Sequence, residues 1–454
     1  MVNKYIDDNK QNIIESIMKC VNFESVSIKG NNPEAPFGEE CKKVLEYVLN
    51  LGKEMGFRTK NIDGYCGYIE FGEGEEMLGI IGHLDVVPAH IEDGWKSNPF
   101  KAEVRDNKIY GRGTIDDKGP VISSLYAMKA VAENVKLGKR VRLIIGLNEE
   151  KDWECINYYK RNEESPTISF SPDGNFPCIY AEKGIITIRI EHDYHLSFGD
   201  ILEISSGDNA INVVPKTAYM RIKLNNDEDK VRFENRDGVY VEDLGNNVIK
   251  LTGTGKSAHA AHPDLGENAI TKLFEYINSI EPNEYITNLF NEGFFKIQSP
   301  DYLGGVSTVD ESGVLTSNVG IVKYEDGILK LYTNLRVPVN TNFDVIQNKC
   351  EELKSRIENL SYGMEHANNK LFVSKDSYLV KTLTRIFNEE TGMNEEPLAI
   401  GGGTYARAFK NCVSYGMTMP GDEDLCHQVD ENIDIDKLIL STKIFARAIE
   451  ELAK

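Results

Sequence analysis

Three short apolar runs that end abruptly in polar or charged side chains set the reading of the chain. Met77-Leu-Gly-Ile-Ile-Gly82 runs into His83-Leu-Asp85, Val141-Arg-Leu-Ile-Ile-Gly-Leu147 into Asn148-Glu149-Glu150, and Thr167-Ile-Ser-Phe-Ser171 into Pro172-Asp173-Gly174. A strand buried on both faces reads as a near-continuous apolar run, and in open α/β sheets chemistry collects just beyond the strands' carboxyl ends. The pattern predicts three such strands delivering His83, Asp85, Glu149, Glu150 and Asp173 to one crevice. Ile109-Tyr-Gly-Arg-Gly-Thr-Ile-Asp-Asp-Lys-Gly-Pro120 reads as a glycine-rich turn leading into a helix over 118–135, with Pro120 in its first turn. Asp116 and Asp117 then sit at a helix N-terminus, where a carboxylate is favoured either as a simple cap or as a ligand.

Helical spacing of apolar residues predicts a helix over 5–22 and another over 40–56, closed by Gly56. Tyr68–Phe71 reads as an edge strand. From about Gly184 the pattern changes to alternation, as in Ile185–Ile190, Thr217–Leu224 and Ile328–Val337, with helices near 267–280 and 342–360. After Asp376 the earlier rhythm resumes, with a helix over 377–390, a Gly401-Gly-Gly-Thr-Tyr-Ala-Arg407 turn, a segment carrying His427, and a closing helix from 434. The fold class expected is α/β: a mixed, mostly parallel sheet with flanking helices, built discontinuously from residues 1–183 and 376–454, plus an inserted α+β lid domain at 184–375. A length of 454 residues suits two cores.

Composition narrows the function. With 72 acidic against 51 basic side chains the net charge is -21, and no basic stripe is present, which argues against nucleic acid or a membrane surface as partner. The N-terminus has no apolar leader segment and no run is long enough to span a bilayer, so a cytoplasmic protein is expected. The eight cysteines form no Cys-x-x-Cys pair, so neither a zinc ribbon nor a redox dithiol is indicated.

What accumulates is His83, Asp85, Asp116, Glu149, Glu150, Asp173 and His427, a nitrogen and oxygen donor set without a thiolate. Such a set suits an exchangeable catalytic zinc, manganese or cobalt centre better than a closed structural zinc site. Five ligands drawn from these seven side chains exceed what one tetrahedral ion needs, whereas two ions roughly 3.5–4 Å apart, bridged by a carboxylate and a water, would use all five.

In their order, Gly82-His-Leu-Asp85, Gly111-Arg-Gly-Thr-Ile-Asp-Asp-Lys-Gly119, Asn148-Glu-Glu150, Pro172-Asp-Gly174 and the late His427 resemble the dinuclear metallopeptidase family. That family includes carboxypeptidase G, aminoacylase and succinyl-diaminopimelate desuccinylase, and the similarity is greatest to its PepV-type dipeptidases. The resemblance runs over essentially the whole chain. It implies that Asp116 bridges two divalent ions, most readily zinc, with His83 and Asp173 completing one site and Glu150 and His427 the other. It further implies Asp85 behind His83, Glu149 as general base, and His259, in Gly255-Lys-Ser-Ala-His-Ala-Ala-His-Pro263, as oxyanion donor. Spacing alone leaves a metal pair or a helix cap open for His259 and His262. Asn212 and Arg336 match positions that touch bound peptide, and Gly401, Gly402, Gly403 and Thr404 match a loop that takes a terminal carboxylate. Arg336 read without the family is a surface strand residue pairing with one of the many acids. Ile115 stands where the family pattern has a small residue.

The activity implied is metal-assisted hydrolysis of unblocked dipeptides, with tripeptides in range. The alternative within the same chemistry is an N-acyl amino acid deacylase or desuccinylase. A non-catalytic peptide-binding protein is disfavoured by the presence of Glu149. The long insertion implies a monomer, since one chain then supplies its own lid.

Overall fold

The computed structural model describes every residue except 237, 284–308 and 369. The chain divides into two compact units. One comprises Met1–Ala181, Phe372–Leu398 and Gly403–Lys454, and the other Glu182–Leu371 and Ala399–Gly402.

The first unit is built on a mixed sheet with the strand order Arg58–Ile62, Cys66–Phe71, Arg140–Gly146, Met77–His83, Ile168–Ser171, Cys412–Ser414, Ile179–Glu182. Parallel pairing occupies the middle, where Met77–His83 lies between Arg140–Gly146 and Ile168–Ser171, and Cys412–Ser414 extends it. The pairings at either side are antiparallel. Every residue of Met77–His83 is buried, which is why that segment has no polar alternation. In this register His83 pairs with Gly146, so the carboxyl ends of the two strands coincide.

Helices cover the sheet. Lys118–Asn134 is buried along most of its length, with Pro120 in the first turn, and it packs against Ile435–Ala453 and Lys10–Val21. Two expectations need correction. Cys66–Phe71 is not an edge strand, because Arg58–Ile62 pairs outside it. That outer strand is largely exposed and polar, so it carries no apolar signal. The first helix is also two helices, Val2–Asp8 and Lys10–Val21. At the junction the Asn9 side chain donates to the Tyr5 carbonyl at 2.9 Å, a local bond that competes with continued helix.

The second unit is an antiparallel sheet in the order Val239–Gly245, Val248–Thr254, Thr217–Leu224, Gly199–Ser205, Thr316–Glu325, Ile328–Val337, Gly184–Asp193, Ser361–Asn368. Alternate residues such as Ile186, Ile188 and Ile190 face a core shared with Ile270, Leu273, Phe274 and Ile277 of Ala269–Ile280. Ile346, Cys350 and Leu353 of Asp344–Arg356 belong to the same core. Among the described residues, no helix is long and apolar enough to cross a membrane.

Candidate metal centre

The three central strands deliver their side chains as a cluster at one sheet edge. His83 ends its strand, Glu149 and Glu150 follow Gly146, and Asp173 follows Ser171. Asp116 arrives from the glycine-rich turn ahead of Lys118–Asn134, and His427 from the segment before Asn432–Asp434. Two groups of donors result. His83, Asp116 and Asp173 form one, and Asp116, Glu150 and His427 the other, each with ligand atoms within 4.8 Å of one another. Asp116 belongs to both. Its Oδ1 lies 3.0 Å from His83 Nε2 and its Oδ2 3.1 Å from His427 Nε2. His427 Nε2 is also 3.0 Å from Glu150 Oε1.

Glu149 is in neither group. Its Oε2 stands 4.0 Å from His83 Nε2, beside the donors rather than among them. Its adjacency to Glu150 in sequence thus resolves into two different positions.

The tautomer of His83 follows from its surroundings. Nδ1 lies 2.9 Å from the backbone carbonyl of Asp85, which can only accept, so Nδ1 carries the hydrogen. In the neutral imidazole Nε2 then presents a lone pair, buried and without a hydrogen-bond partner, toward a carboxylate oxygen. Two acceptors at that distance require a cation or a proton between them. Without an ion, burial would lower the His83 pKa, but the carboxylates of Asp116 and Asp85 outweigh it and hold the ring protonated. His427 is likewise pushed up to about 11, because Asp116 and Glu150 outweigh the effect of burial. Burial alone would raise the Asp116 carboxyl, yet the two imidazoles hold it well below the usual range. Burial pushes Glu149 well up, opposed by His83 and reinforced by Asp173 and Glu150. Buried Asp116 and half-buried Glu149, Glu150 and Asp173 around an imidazole lone pair fit divalent cations, since poorly solvated charge without compensation is costly. The donors are imidazole nitrogen and carboxylate oxygen throughout, the chemistry of an exchangeable site.

Asp85 stands behind His83 and also meets the following strand end. Its carboxylate is 3.5 Å from Nδ1 and accepts the backbone N–H groups of Glu149 at 3.0 Å and Glu150 at 3.1 Å. Asp117 makes no side-chain cap on its helix. Its Oδ2 accepts the His83 backbone N–H at 3.0 Å, fixing the strand end from the other side.

Most of the remaining candidates belong to the second unit. Within the second unit His259 is exposed, and its Nδ1 accepts the Ala261 N–H at 3.2 Å, which leaves Nε2 as the protonated, donating nitrogen. His262 is exposed and caps nothing with its side chain. Asn212 is exposed and its carbonyl accepts the Ala260 N–H at 2.8 Å. Arg336 is buried in Ile328–Val337, donating to Asn334 Oδ1 at 2.8 Å and to the Gly401 carbonyl at 3.0 Å. Gly401 and Gly402 belong to the second unit, Gly403 and Thr404 to the first. The Thr404 hydroxyl caps the Tyr405–Ala408 turn by accepting the Ala406 N–H at 3.2 Å.

A sheet edge that gathers two overlapping imidazole and carboxylate sets is a metal-binding architecture. Residues 79–451 of this one match peptidase family M20/M25/M40. A Bacillus subtilis (strain 168) protein named “Putative dipeptidase YtjP” is 37% identical over 466 residues, covering 98% of each chain. A Staphylococcus epidermidis protein named “Putative dipeptidase” is 36% identical over 466 residues, covering 97% of each. Among solved structures, human carnosine dipeptidase 1 shares the fold with a TM-score of 0.62 at 17% identity, over 100% of this chain and 98% of that one. The di-peptidase Dug1p from Saccharomyces cerevisiae does so with a TM-score of 0.60 at 13% identity and the same coverage. The chain belongs to peptidase family M20/M25/M40. It is a peptide hydrolase, and its family implies divalent metal ions.

Proposed function

We propose that this enzyme is a dipeptidase acting on short unblocked peptides, with Asp116 shared between two divalent ions, zinc being the first choice and manganese or cobalt the alternatives. His83 and Asp173 would hold one ion, Glu150 and His427 the other. The observation that carries the reading is the placement of Asp116 in both donor groups with Glu149 just outside them. The dipeptidase names of the curated relatives support the substrate class.

Bound ions supply a polarised scissile carbonyl and a water of lowered pKa. The protein's own residues handle the proton and the charge. Glu149 accepts a proton from the attacking water and passes it to the leaving amine as the C–N bond breaks, so that two free amino acids result. Asp85 fixes the peptide that carries Glu149 and Glu150, and Asp117 the backbone of His83. The charge developing on the carbonyl oxygen needs a donor, a role suited to the Nε2–H of His259. For Asn212, Arg336 and the Gly401–Thr404 turn we propose contacts with the ends of the peptide, where Arg336 offers a fork of donors and the glycines bare amides.

The test is a substrate panel after chelation, with zinc or manganese added back: a free dipeptide, its N-acetyl form, a tripeptide and an N-acyl amino acid. Metal-restored cleavage of the free dipeptide in preference to the blocked forms is expected. Cleavage of the acylated substrates alone would replace this reading with a deacylase.

A further inference from the structure

One buried carboxylate outside the donor groups is surrounded by donors from the site's own backbone. Glu431 is 0% exposed and lies four residues beyond His427. Its Oε1 accepts the N–H groups of Ile115 at 2.9 Å and Asp116 at 3.3 Å. The Gly113 N–H is 3.0 Å from both oxygens, and Oε2 receives Arg112 Nη1 at 2.8 Å. Arg112 is itself buried and lies over the Trp95 ring. Its guanidinium also reaches the carbonyls of Gln428 at 3.3 Å and His427 at 3.4 Å.

These contacts join the two backbones whose side chains meet at 3.1 Å, those of Asp116 and His427. Each needs an external hold. Asp116 sits in a turn rather than a helix or strand, and His427 has a φ of 64°, a left-handed conformation that a β-carbon disfavours. A short strand pairing anchors the far side, since Asn432 is in register with Tyr110 and the Glu431 carbonyl accepts the Gly111 N–H at 3.0 Å. Both carboxylate oxygens of Glu431 are taken by N–H donors of Arg112 and of the Gly113–Asp116 turn.

We propose that Glu431, together with Arg112, is a positioning residue for the metal centre: it sets the shared ligand Asp116 against His427. The inference rests on the two-ion reading above. An ion pair that merely held the loop together would affect stability alone, whereas this one must govern ion affinity, because its donors come from the ligand-bearing turn and its partner touches the His427 carbonyl.

The experiment uses the full chain, stripped by chelation and titrated with zinc by calorimetry. Glu431→Gln keeps the shape but sets an amide NH2 against N–H donors. The variant is expected to bind the ion assigned to Glu150 and His427 at least tenfold more weakly than wild type, and the other, which also uses Asp116, by a smaller factor. Its kcat should fall at least tenfold with KM for a dipeptide within threefold. Arg112→Gln, which leaves the contacts to Gly113, Ile115 and Asp116 in place, should weaken the ion assigned to Glu150 and His427 by a smaller factor. It decides the matter should Glu431→Gln fail to fold. Two ions bound as tightly as in wild type, whatever the melting temperature, would overturn the proposal. A wild-type chain that takes up fewer than two ions would instead contradict the two-ion reading itself.

Discussion

Asp85 gives the most specific prediction, because its carboxylate faces the His83 ring at 3.5 Å and also holds the Glu149–Glu150 peptide by two closer contacts. The side chain is fully buried and accepts two backbone N–H groups, one on each oxygen. Hydrogen bonds to a charged group contribute about 1.5–3 kcal/mol each. In Asp85→Asn one oxygen remains as a neutral acceptor, and the other becomes an NH2 facing an N–H. The loss is then about 2–4 kcal/mol, one charge-assisted bond together with the weakening of its partner. If half of that appears as displacement of Glu149, kcat falls by roughly tenfold, and by about 30-fold at the upper end, since 1.36 kcal/mol is a factor of ten. Urea unfolding reads the stability, and steady-state hydrolysis of a dipeptide at saturating zinc reads kcat. The His83 Nδ1–H bond is made to the Asp85 carbonyl, which asparagine keeps, so the variant should still take up zinc. A kcat within threefold of wild type with an unchanged urea midpoint would refute the reasoning. Abolition of zinc uptake would place the action of Asp85 on His83 instead.

Two further perturbations address the scaffold. Gly146 has no room for a side chain, because an added Cβ would meet the hydroxyl of buried Tyr405, whose ring stands edge-on to His83. Gly146→Ala should destabilise by about 1–3 kcal/mol, read as a lowered urea midpoint, and an unchanged midpoint would contradict this packing. His192, buried in the second unit, has its pKa pushed below the ordinary 6.5 by burial. The unfolded chain therefore takes up the proton first as pH falls through 6.5, so the stability is present above that value and lost below it. His192→Gln should show a smaller drop in urea midpoint between about pH 7.5 and pH 5.5 than wild type, and an equal drop would count against the assignment.

The residues that the structure brings to one edge were legible because each interrupts a strong pattern. His83, Glu149 and Asp173 stand where an apolar run stops, and a fully buried strand announces its end in that way. Asp116 was marked by the glycines around it. Less visible was the hydrogen bonding behind them. Nothing in His83-Leu-Asp85 indicates that the carbonyl, not the carboxylate, takes the imidazole hydrogen, since that depends on the path of the chain beyond the strand. Arg112 and Glu431 are 319 positions apart, and no local pattern joins them. The available signals were position alone, Arg112 within the same glycine-rich turn as Asp116 and Glu431 shortly after His427. The Arg58–Ile62 strand was missed for a different reason: its outward residues are solvated, so β structure there rests on backbone pairing with Cys66–Phe71.

The central claim is a division of labour between adjacent carboxylates, with Glu150 on an ion and Glu149 on the proton. Glu149→Gln tests it most directly when zinc content and kcat for a free dipeptide are measured on the same preparation. The account predicts two zinc ions retained and a kcat lowered by about 100-fold or more, the scale of a lost general base. A variant that stays active, or one that loses activity only in proportion to lost zinc, would contradict it.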